Sequence, residues 1–78
     1  MTYSQIVAAN VRAELARRNL RTRDLAPVLD LKTTAVRARL VGEVEMTFTE
    51  VGKIAEFLKI PYEFLVNPTP DQSVSFAA

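Results

Sequence analysis

Apolar residues recur at helical spacing near the start of the chain. Between residues 4 and 19, Val7, Val11 and Leu15 stand at every fourth position, and the positions between them are rich in alanine. This period, together with the high helix propensity of alanine, predicts a first amphipathic helix over residues 4–19. We expect the helix to stop at Asn19.

A second helix is predicted from Thr22, whose side chain is of the kind that caps a helix N-terminus. Its apolar residues are Leu25, Ala26, Val28 and Leu29. Pro27 lies among them, and a proline beyond the first turn removes a backbone donor and clashes with the carbonyl four residues earlier. We therefore expect either a start nearer Asp24 or a distorted first turn.

The third predicted helix, residues 33–41, has two clearly different sides. Val36 and Leu40 share one side at about 100° per residue, so we expect that side to be buried. Gly42 is expected to close the helix in the left-handed conformation, which glycine adopts without strain. The opposite side carries Thr34, Ala38 and Val41, with Arg37 and Arg39 on its two flanks.

Two further helices are predicted toward the C-terminus, which gives an all-α fold of five short helices. Thr47 and Glu50 form a capping box, in which each side chain accepts a hydrogen bond from a free backbone amide at the helix start. This fourth helix runs to about residue 58, with five side chains predicted to face inward: Phe48, Val51, Ile54, Ala55 and Leu58. Pro61 suits the first turn of a short fifth helix over residues 61–66.

Two features of the C-terminal half do not fit a simple helical core. Gly52 lies inside the fourth helix, where glycine costs about 1 kcal/mol relative to alanine, and close packing against a neighbouring helix or a partner chain would explain it. Residues 73–76 alternate polar and apolar side chains like a half-buried strand, and a frayed tail is the default expectation for such a chain end.

Charge is polarised along the chain, although the net charge is only +1. Up to Arg39 there are eight cations and three anions, whereas from Leu40 onward there are two cations and six anions. Seven of the ten cations are arginine, which binds phosphates and guanine edges in a bidentate way. The asymmetry favours one face for a polyanion and another for a different partner, with a solvated surface of scattered ion pairs as the alternative.

The composition argues against several classes of function. A chain of 78 residues allows one domain, and the absence of cysteine and histidine removes disulfides, the usual zinc ligands and nucleophile–imidazole pairs. Two glycines are too few for a glycine-rich phosphate loop. No apolar run approaches the roughly 18 residues that span a bilayer, and no basic signal-peptide head is present. We expect a cytoplasmic protein that is not an enzyme and uses no metal, cofactor, small-molecule ligand or membrane.

The stretch from Thr22 to Gly42 has the layout of a helix-turn-helix: a short helix, a short turn and a second helix left exposed on one side. With its neighbours it resembles the lambda-repressor-like, Cro-type helix-turn-helix family over about residues 6–66. The matching pieces are residues 11–20, Leu25-Ala26, residues 34–37, Gly42 and residues 54–61. The resemblance implies a DNA-binding domain over residues 1–66. Apart from the resemblance, we expect the tail, residues 67–78, to be flexible or to form a short dimer-forming strand.

The resemblance also implies roles for individual residues. It places the third helix in the major groove of double-stranded DNA, with base contacts from Thr33, Thr34 and Arg37, and phosphate contacts from Thr22, Arg23 and Lys32. Ala38 is the fourth candidate base contact, because it is small enough to let the helix approach the bases; the alternative is that it is there as a good helix former. For Arg39 we weigh a phosphate contact against an ion pair with Glu43, four residues later. For three first-helix arginines a solvated position is favoured: Arg12, Arg17 and Arg18.

Three features depart from the family pattern. Asp30 stands where relatives often have glycine, and aspartate adopts the left-handed conformation only at some cost. Pro27 is unusual inside the second helix. Glu43 and Glu45 lie in the loop after the third helix, where carboxylates would repel phosphates.

The leading hypothesis is a sequence-specific transcriptional regulator, a phage-type repressor or Cro-like protein, that acts as a homodimer on a palindromic operator. One helix reads only a few base pairs, so specificity needs two copies about one helical turn apart. Candidate dimer contacts lie in the acidic, aromatic C-terminal part: Phe57, Phe64, Val66, Val74 and Phe76. The rival hypothesis is a protein-interaction module, such as the antitoxin of a toxin–antitoxin pair, whose acidic half would bind a basic enzyme.

Overall fold

Five helices account for most of the chain that the structure describes. In the computed structural model, which describes residues 2–68, they are α1 (Tyr3–Arg17), α2 (Thr22–Leu29), α3 (Thr33–Leu40), α4 (Phe48–Leu58) and α5 (Glu63–Val66). Residues 2–68 contain no strand, so the predicted all-α class is confirmed for them. None of these five helices is long and apolar enough to cross a membrane. The candidate strand at residues 73–76 lies outside the described residues.

Local backbone chemistry fixes both ends of α1. At its start the backbone N–H of Gln5 donates to the Thr2 hydroxyl at 3.2 Å, and the N–H of Thr2 donates to the Gln5 side chain at 3.1 Å. The helix ends at Arg17, two residues before the expected stop, and Asn19 beyond it takes a left-handed φ of 57°. The expected apolar face is buried through Val7, Val11 and Leu15.

Pro27 is accommodated inside α2. The helix begins at Thr22, and its N-cap residue is Arg21. The predicted N-cap, Thr22, is therefore off by one residue, and the alternative start near Asp24 is wrong. Pro27 is exposed, which places its ring on the solvent side of the helix. The opposite side is fixed in the core by Leu25 and Leu29.

A tight turn joins α2 to α3. Asp30 takes a φ of 57°, and the N–H of the next residue, Leu31, donates to the carbonyl of Ala26 at 3.0 Å. This hydrogen bond is typical of a left-handed helix stop. Gly42, with a φ of 85°, ends α3 as predicted. Around this pair, α2 packs on α3 and α4, α1 packs on α3 and α5, and buried side chains from all five helices form one core cluster.

α4 starts where the sequence predicts, but its first residue does not join the core. The capping box of Thr47 and Glu50 is present. Phe48 is 76% exposed, so the prediction that it faces inward is wrong. As the first residue of the helix it lies at the edge of the core, and its ring packs edge-on against Tyr62 with the ring centroids 5.1 Å apart. The other four predicted inward residues are buried: Val51, Ile54, Ala55 and Leu58.

Gly52 has no packing role within the described chain. A Cβ atom added at this position would meet no atom within 4 Å. Close packing against a neighbouring helix of residues 2–68 is therefore the wrong explanation for this glycine. Packing against a partner chain stays a prediction.

α5 begins at Glu63, later than the start predicted at Pro61, and is tied to α1 by Asn10. The Asn10 side-chain nitrogen donates to the carbonyl of Leu65 at 2.9 Å and to the carbonyl of Asn67 at 2.7 Å. Asn10 is only 5% exposed. One buried side-chain amide therefore donates to two backbone carbonyls at the end of α5. Carbonyls at a helix C-terminus have no backbone N–H of a following turn to bond with, so they need such a donor.

Candidate nucleic-acid interface

α3 buries one side and leaves the other open to solvent. Val36 is 0% exposed and Leu40 is 5% exposed, as their spacing predicts. Three of the residues predicted to contact bases are exposed: Thr33, Thr34 and Arg37. They lie within the first five residues of the helix, so a ligand could reach all three at once.

Ala38, the fourth predicted base contact, is half-buried. The chain after α3 folds back onto it, because the N–H groups of Glu43 and Val44 donate to the Ala38 carbonyl at 3.0 and 3.2 Å. These bonds bring the acidic loop, residues 43–45, to the C-terminal end of α3. The exposed residues of α3 therefore lie within its first five positions, and negative charge begins beyond its C-terminal end.

The cations divide into two groups according to their contacts. Four are engaged: Arg12 donates to the Leu40 carbonyl, Arg17 and Arg18 pair with Glu14, and Arg39 pairs with Glu50. Arg12, Arg17 and Arg18 are all exposed, as the favoured solvated position predicts, and each also has a hydrogen-bond or ion-pair partner. Within residues 2–68 the other six cations make no ion pair or side-chain hydrogen bond: Arg21, Arg23, Lys32, Arg37, Lys53 and Lys59.

Three of these unengaged arginines border one groove between α1, α2 and α3. The groove is lined by these three arginines, Arg21, Arg23 and Arg37, and by Arg12. Its lining also includes Thr22, Thr33 and several apolar side chains. Every charged residue in this lining is an arginine. Like charges of one sign along a groove with apolar walls attract a polyanion. Sequence reasoning did not assign a role to Arg21, although its position directly before the start of α2 is a visible signal.

Neither α2 nor α3 has an N-cap side chain that accepts from its first turn, although the Asp24 carboxylate in the first turn of α2 accepts from the backbone N–H of Arg21 at 2.7 Å. Their N-cap residues are Arg21 and Lys32, whose side chains carry no hydrogen-bond acceptor. The N-termini of α1 and α4, in contrast, are capped by Thr2 and Thr47. The free first-turn amides and the positive dipole end of α3 therefore add to the positive charge of this surface, whereas the Asp24 carboxylate offsets the dipole of α2.

Arg39 lies apart from the groove, on the flank of α3 that meets α4. Its Nε donates to Oε1 of Glu50 at 3.0 Å and a terminal nitrogen donates to the carbonyl of Ala35 at 3.0 Å, so the predicted alternative, an ion pair with Glu43, is wrong. Burial acts to raise the pKa of Glu50, but the hydrogen bonds from Arg39 and Thr47 and the nearby positive charges outweigh it and hold that pKa below its ordinary value. The predicted phosphate contact of Arg39 stays a prediction.

The candidate dimer contacts are spread over the other side of the molecule. Phe57 on α4 is 42% exposed, Phe64 on α5 is 59% exposed, and Val66 is half-buried. Phe64 borders a second groove between α1 and α5. Val74 and Phe76 lie outside the described residues, so their predicted contacts stay predictions.

We call the surface formed by the open side of α3 and the ends of α2 the basic face; it comprises Arg21, Arg23, Lys32, Thr33, Thr34 and Arg37. Its chemistry consists of positive charge, hydroxyl groups and free backbone amides, which suits a ligand rich in negatively charged hydrogen-bond acceptors. Comparison of the chain with protein-family models, with curated proteins and with solved structures finds no match.

Proposed function

We propose that this protein is a sequence-specific DNA-binding regulator of the lambda-repressor-like, Cro-type class, with α3 lying in the major groove. The observation that carries the proposal is the exposure of Thr33, Thr34 and Arg37 on a helix whose other side is buried. A single helix with one open side fits a major groove about 12 Å wide. The chemistry of the exposed side chains is the kind that reads base edges.

Base reading is assigned to Thr33, Thr34 and Arg37, which lie within the first five residues of α3. Arg37 has no partner among residues 2–68, so its guanidinium is available for the O6 and N7 atoms of a guanine. The threonines supply a hydroxyl for a base edge or a methyl group against thymine. Ala38 supports close approach as a small residue, although the backbone beside it is occupied by the returning loop.

Phosphate contacts are assigned to the ends of α2 and α3. Arg23 and Lys32 are exposed and unpaired within residues 2–68, and Thr22 lies on the rim of the arginine groove. Uncapped helix N-termini bind phosphate through their free amides and positive dipole ends. Such contacts set the position of the protein on the duplex and supply most of the affinity at low salt.

Two copies of the chain are assigned to one palindromic operator. α3 has 8 residues and covers only a few base pairs, so a single copy would discriminate poorly between sites. A homodimer places two such helices about 34 Å apart on the same side of the duplex. The predicted dimer residues Phe57, Phe64 and Val66 remain candidates for the contact between copies.

The direct experiment is selection of bound sequences from a random duplex pool, followed by titration of the selected duplex at several salt concentrations. We expect an inverted repeat in the selected sequences. We also expect affinity to fall linearly on a log–log plot, with a slope of about 0.9 for each phosphate neutralised. If the protein binds no duplex at low salt, the proposal is wrong and the protein-interaction hypothesis is favoured.

Three substitutions separate the assigned roles. Arg37→Ala is expected to weaken binding to the selected duplex by about 1–3 kcal/mol and to relax the base preference at one position. Arg23→Ala is expected to weaken binding to all duplexes alike and to reduce the salt slope by about one. Lys53→Ala on α4 is the matched control, since Lys53 is exposed, unpaired within residues 2–68 and outside the basic face. Unchanged binding by Arg37→Ala would show that α3 is not the reading helix.

A further inference from the structure

The C-terminal end of α3 receives hydrogen bonds from two parts of the chain. The last four carbonyls of a helix have no partner within it, and in α3 these belong to residues 37–40. Backbone N–H groups of residues 41–44 donate to the first three of them. The fourth, the carbonyl of Leu40, accepts from the guanidinium of Arg12, a residue of α1 that lies 28 positions earlier. The capping of α3 is therefore completed from another helix.

Two arginines hold α3 to its neighbours. Arg12 reaches the end of α3 from the arginine groove, which Thr33 and Arg37 also line. On the flank that meets α4, Arg39 binds Glu50. Only two side chains of this helix of 8 residues are buried, so the core alone gives it few fixed points. The two arginine contacts therefore help to set the angle of α3 relative to α1 and α4.

Arg12 differs from the other arginines of the groove. Its guanidinium is already bound to a carbonyl at the negative end of the α3 dipole, which is a favourable position for a cation. Arg21, Arg23 and Arg37 line the same groove and have no ion pair or side-chain hydrogen bond within residues 2–68. The contact of Arg12 is therefore directed at the reading helix, whereas the other three are available to a ligand.

We propose that Arg12 is a positioning residue for base recognition: by holding the C-terminal end of α3 against α1, it sets the angle at which the side chains of α3 meet the base edges. The inference rests on the proposed function and names what holds the reading helix in place. Hydrogen bonds to base edges need exact side-chain placement, and a loosely supported site loses discrimination. Phosphate contacts carry no sequence information directly. A chain without the Arg12 contact therefore still binds duplexes but distinguishes them less well.

The test separates the charge of Arg12 from its geometry, using the full chain. Arg12→Lys keeps the positive charge but loses the planar guanidinium with its fixed donor directions. The quantity measured is the specificity ratio, the dissociation constant for a random duplex divided by that for the selected duplex. We expect Arg12→Lys to lower this ratio about tenfold, which is within the discrimination that one good base contact supplies, and to leave the salt slope for the random duplex unchanged.

Arg17→Lys is the matched control for that measurement. Arg17 lies on the same helix, is exposed, pairs with Glu14 and does not line the arginine groove. Its substitution makes the same chemical change outside the proposed contact, so we expect a specificity ratio within about twofold of the wild type. An equal loss in Arg12→Lys and Arg17→Lys would overturn the inference.

Arg12→Met, which also removes the charge, distinguishes positioning from a direct phosphate contact. If Arg12 positions α3, Arg12→Met lowers the specificity ratio at least as far as Arg12→Lys does. If Arg12 instead contacts a phosphate, Arg12→Met weakens binding to every duplex alike and lowers the salt slope by about 0.9, while Arg12→Lys behaves like the wild type. The second result would overturn the inference.

A further control separates positioning from a general loss of stability. Asn10→Ala removes the two hydrogen bonds that tie α5 to α1 and is expected to destabilise the fold. Measured well below its melting temperature, it is expected to keep the specificity ratio of the wild type. If Asn10→Ala lowers the ratio as much as Arg12→Lys, reduced stability is the cause and the inference is wrong.

Hydrogen exchange without DNA tests the contact itself. In Arg12→Lys the backbone N–H groups of the last turn of α3 are expected to exchange about threefold faster or more, because that turn frays, whereas Arg17→Lys leaves them unchanged. Unchanged exchange in Arg12→Lys, or an unchanged specificity ratio, means that the inference is wrong while the proposed function stands. If the wild type binds no duplex, the proposed function is wrong and the role of Arg12 in it is wrong as well, even where exchange shows the contact.

Discussion

Arg39 and Glu50 join α3 to α4 through one carboxylate oxygen. Nε of Arg39 donates to Oε1 of Glu50 at 3.0 Å, and the N–H of Thr47 donates to the same oxygen at 3.0 Å. The carboxylate that caps α4 therefore also holds one flank of the proposed recognition helix. The Arg39 and Glu50 side chains are only 17% and 16% exposed, so salt screens this pair less than it would a fully solvated one.

The first prediction concerns acid and Glu50. The pKa of Glu50 is held below its ordinary value, so its charge stabilises the fold above pH of about 4.5 and this contribution is lost as the pH falls through the lowered pKa of the folded state. Glu50→Gln keeps an acceptor for the capping box but removes the charge. We expect it to cost about 1 kcal/mol at pH 7 and almost nothing well below pH 4, measured by urea unfolding across pH.

Glu56→Gln is the control for that measurement. Glu56 is on the same helix, exposed and without an ion pair in the described part of the chain. Its substitution is expected to change the free energy of unfolding by less than about 0.5 kcal/mol at any pH. An equal pH dependence in the two variants would show that the Arg39 pair contributes nothing specific.

The second prediction concerns Asn10, the buried amide that ties α5 to α1. Asn10→Ala leaves the carbonyl groups of Leu65 and Asn67 without the donor they have in the fold. Unsatisfied buried acceptors cost about 1–3 kcal/mol, so we expect a loss of about 2 kcal/mol in thermal or chemical unfolding. Asn67→Ala retains the backbone carbonyl that accepts the bond, and we expect it to cost less than about 0.5 kcal/mol. A similar loss from both substitutions would mean that the amide bond is not the cause.

The helices could be predicted because their signals are local. The four-residue spacing of Val7, Val11 and Leu15, the capping box before α4 and the glycine after α3 each act over a few residues, and α1, α3 and α4 appear within two residues of their predicted limits. The prediction that Phe48 faces inward was wrong because burial depends on where the core ends, and helical spacing does not reveal that limit. The later start of α2 that Pro27 suggested was wrong because the cost of a proline in a helix depends on whether its ring lies on the solvent side.

The candidate site could be predicted only in part, because side-chain partners across the fold are not visible in the sequence. Thr33, Thr34 and Arg37 lie on the open side of α3 as their positions indicate. The pairing of Arg39 with Glu50 spans eleven residues and two helices, so the nearer Glu43 was the only partner that spacing could suggest. The groove of arginines needs α1 beside α2 and α3, a relation that no single motif encodes.

The third prediction concerns Asp30, which holds a left-handed φ of 57° after α2. The conformation is strained for a residue with a Cβ atom, and the negative charge lies near the negative end of the helix dipole. Asp30→Gly is expected to stabilise the fold by about 0.5–1 kcal/mol, which raises the melting temperature by about 2–8 °C. Asp30→Asn is expected to recover a smaller part by removing only the charge. Asn19→Gly is the control at another left-handed position, and a gain there as large as in Asp30→Gly would show that the aspartate carries no special cost.

The last prediction uses the acidic loop to locate the DNA. Glu43 and Glu45 are exposed and unpaired within residues 2–68, and the hydrogen bonds to the Ala38 carbonyl hold the loop at the C-terminal end of α3. If α3 lies in the major groove, this end comes near a phosphate backbone, and the two carboxylates oppose binding. The repulsion is modest because two charges about 8 Å apart in water interact by only about 0.5 kcal/mol, and salt reduces it further.

Glu43→Gln and Glu45→Gln are therefore each expected to tighten binding to the selected duplex about twofold at low salt, with a smaller gain at physiological salt. The controls are Glu56→Gln and Glu63→Gln, which remove the same charge from exposed positions on α4 and α5. Equal tightening in all four variants would reflect net charge alone. Tighter binding by the loop variants alone would place the C-terminal end of α3 against the DNA phosphate backbone. Unchanged binding by the loop variants would mean that α3 enters the groove by its N-terminal end and that the loop stays away from the DNA.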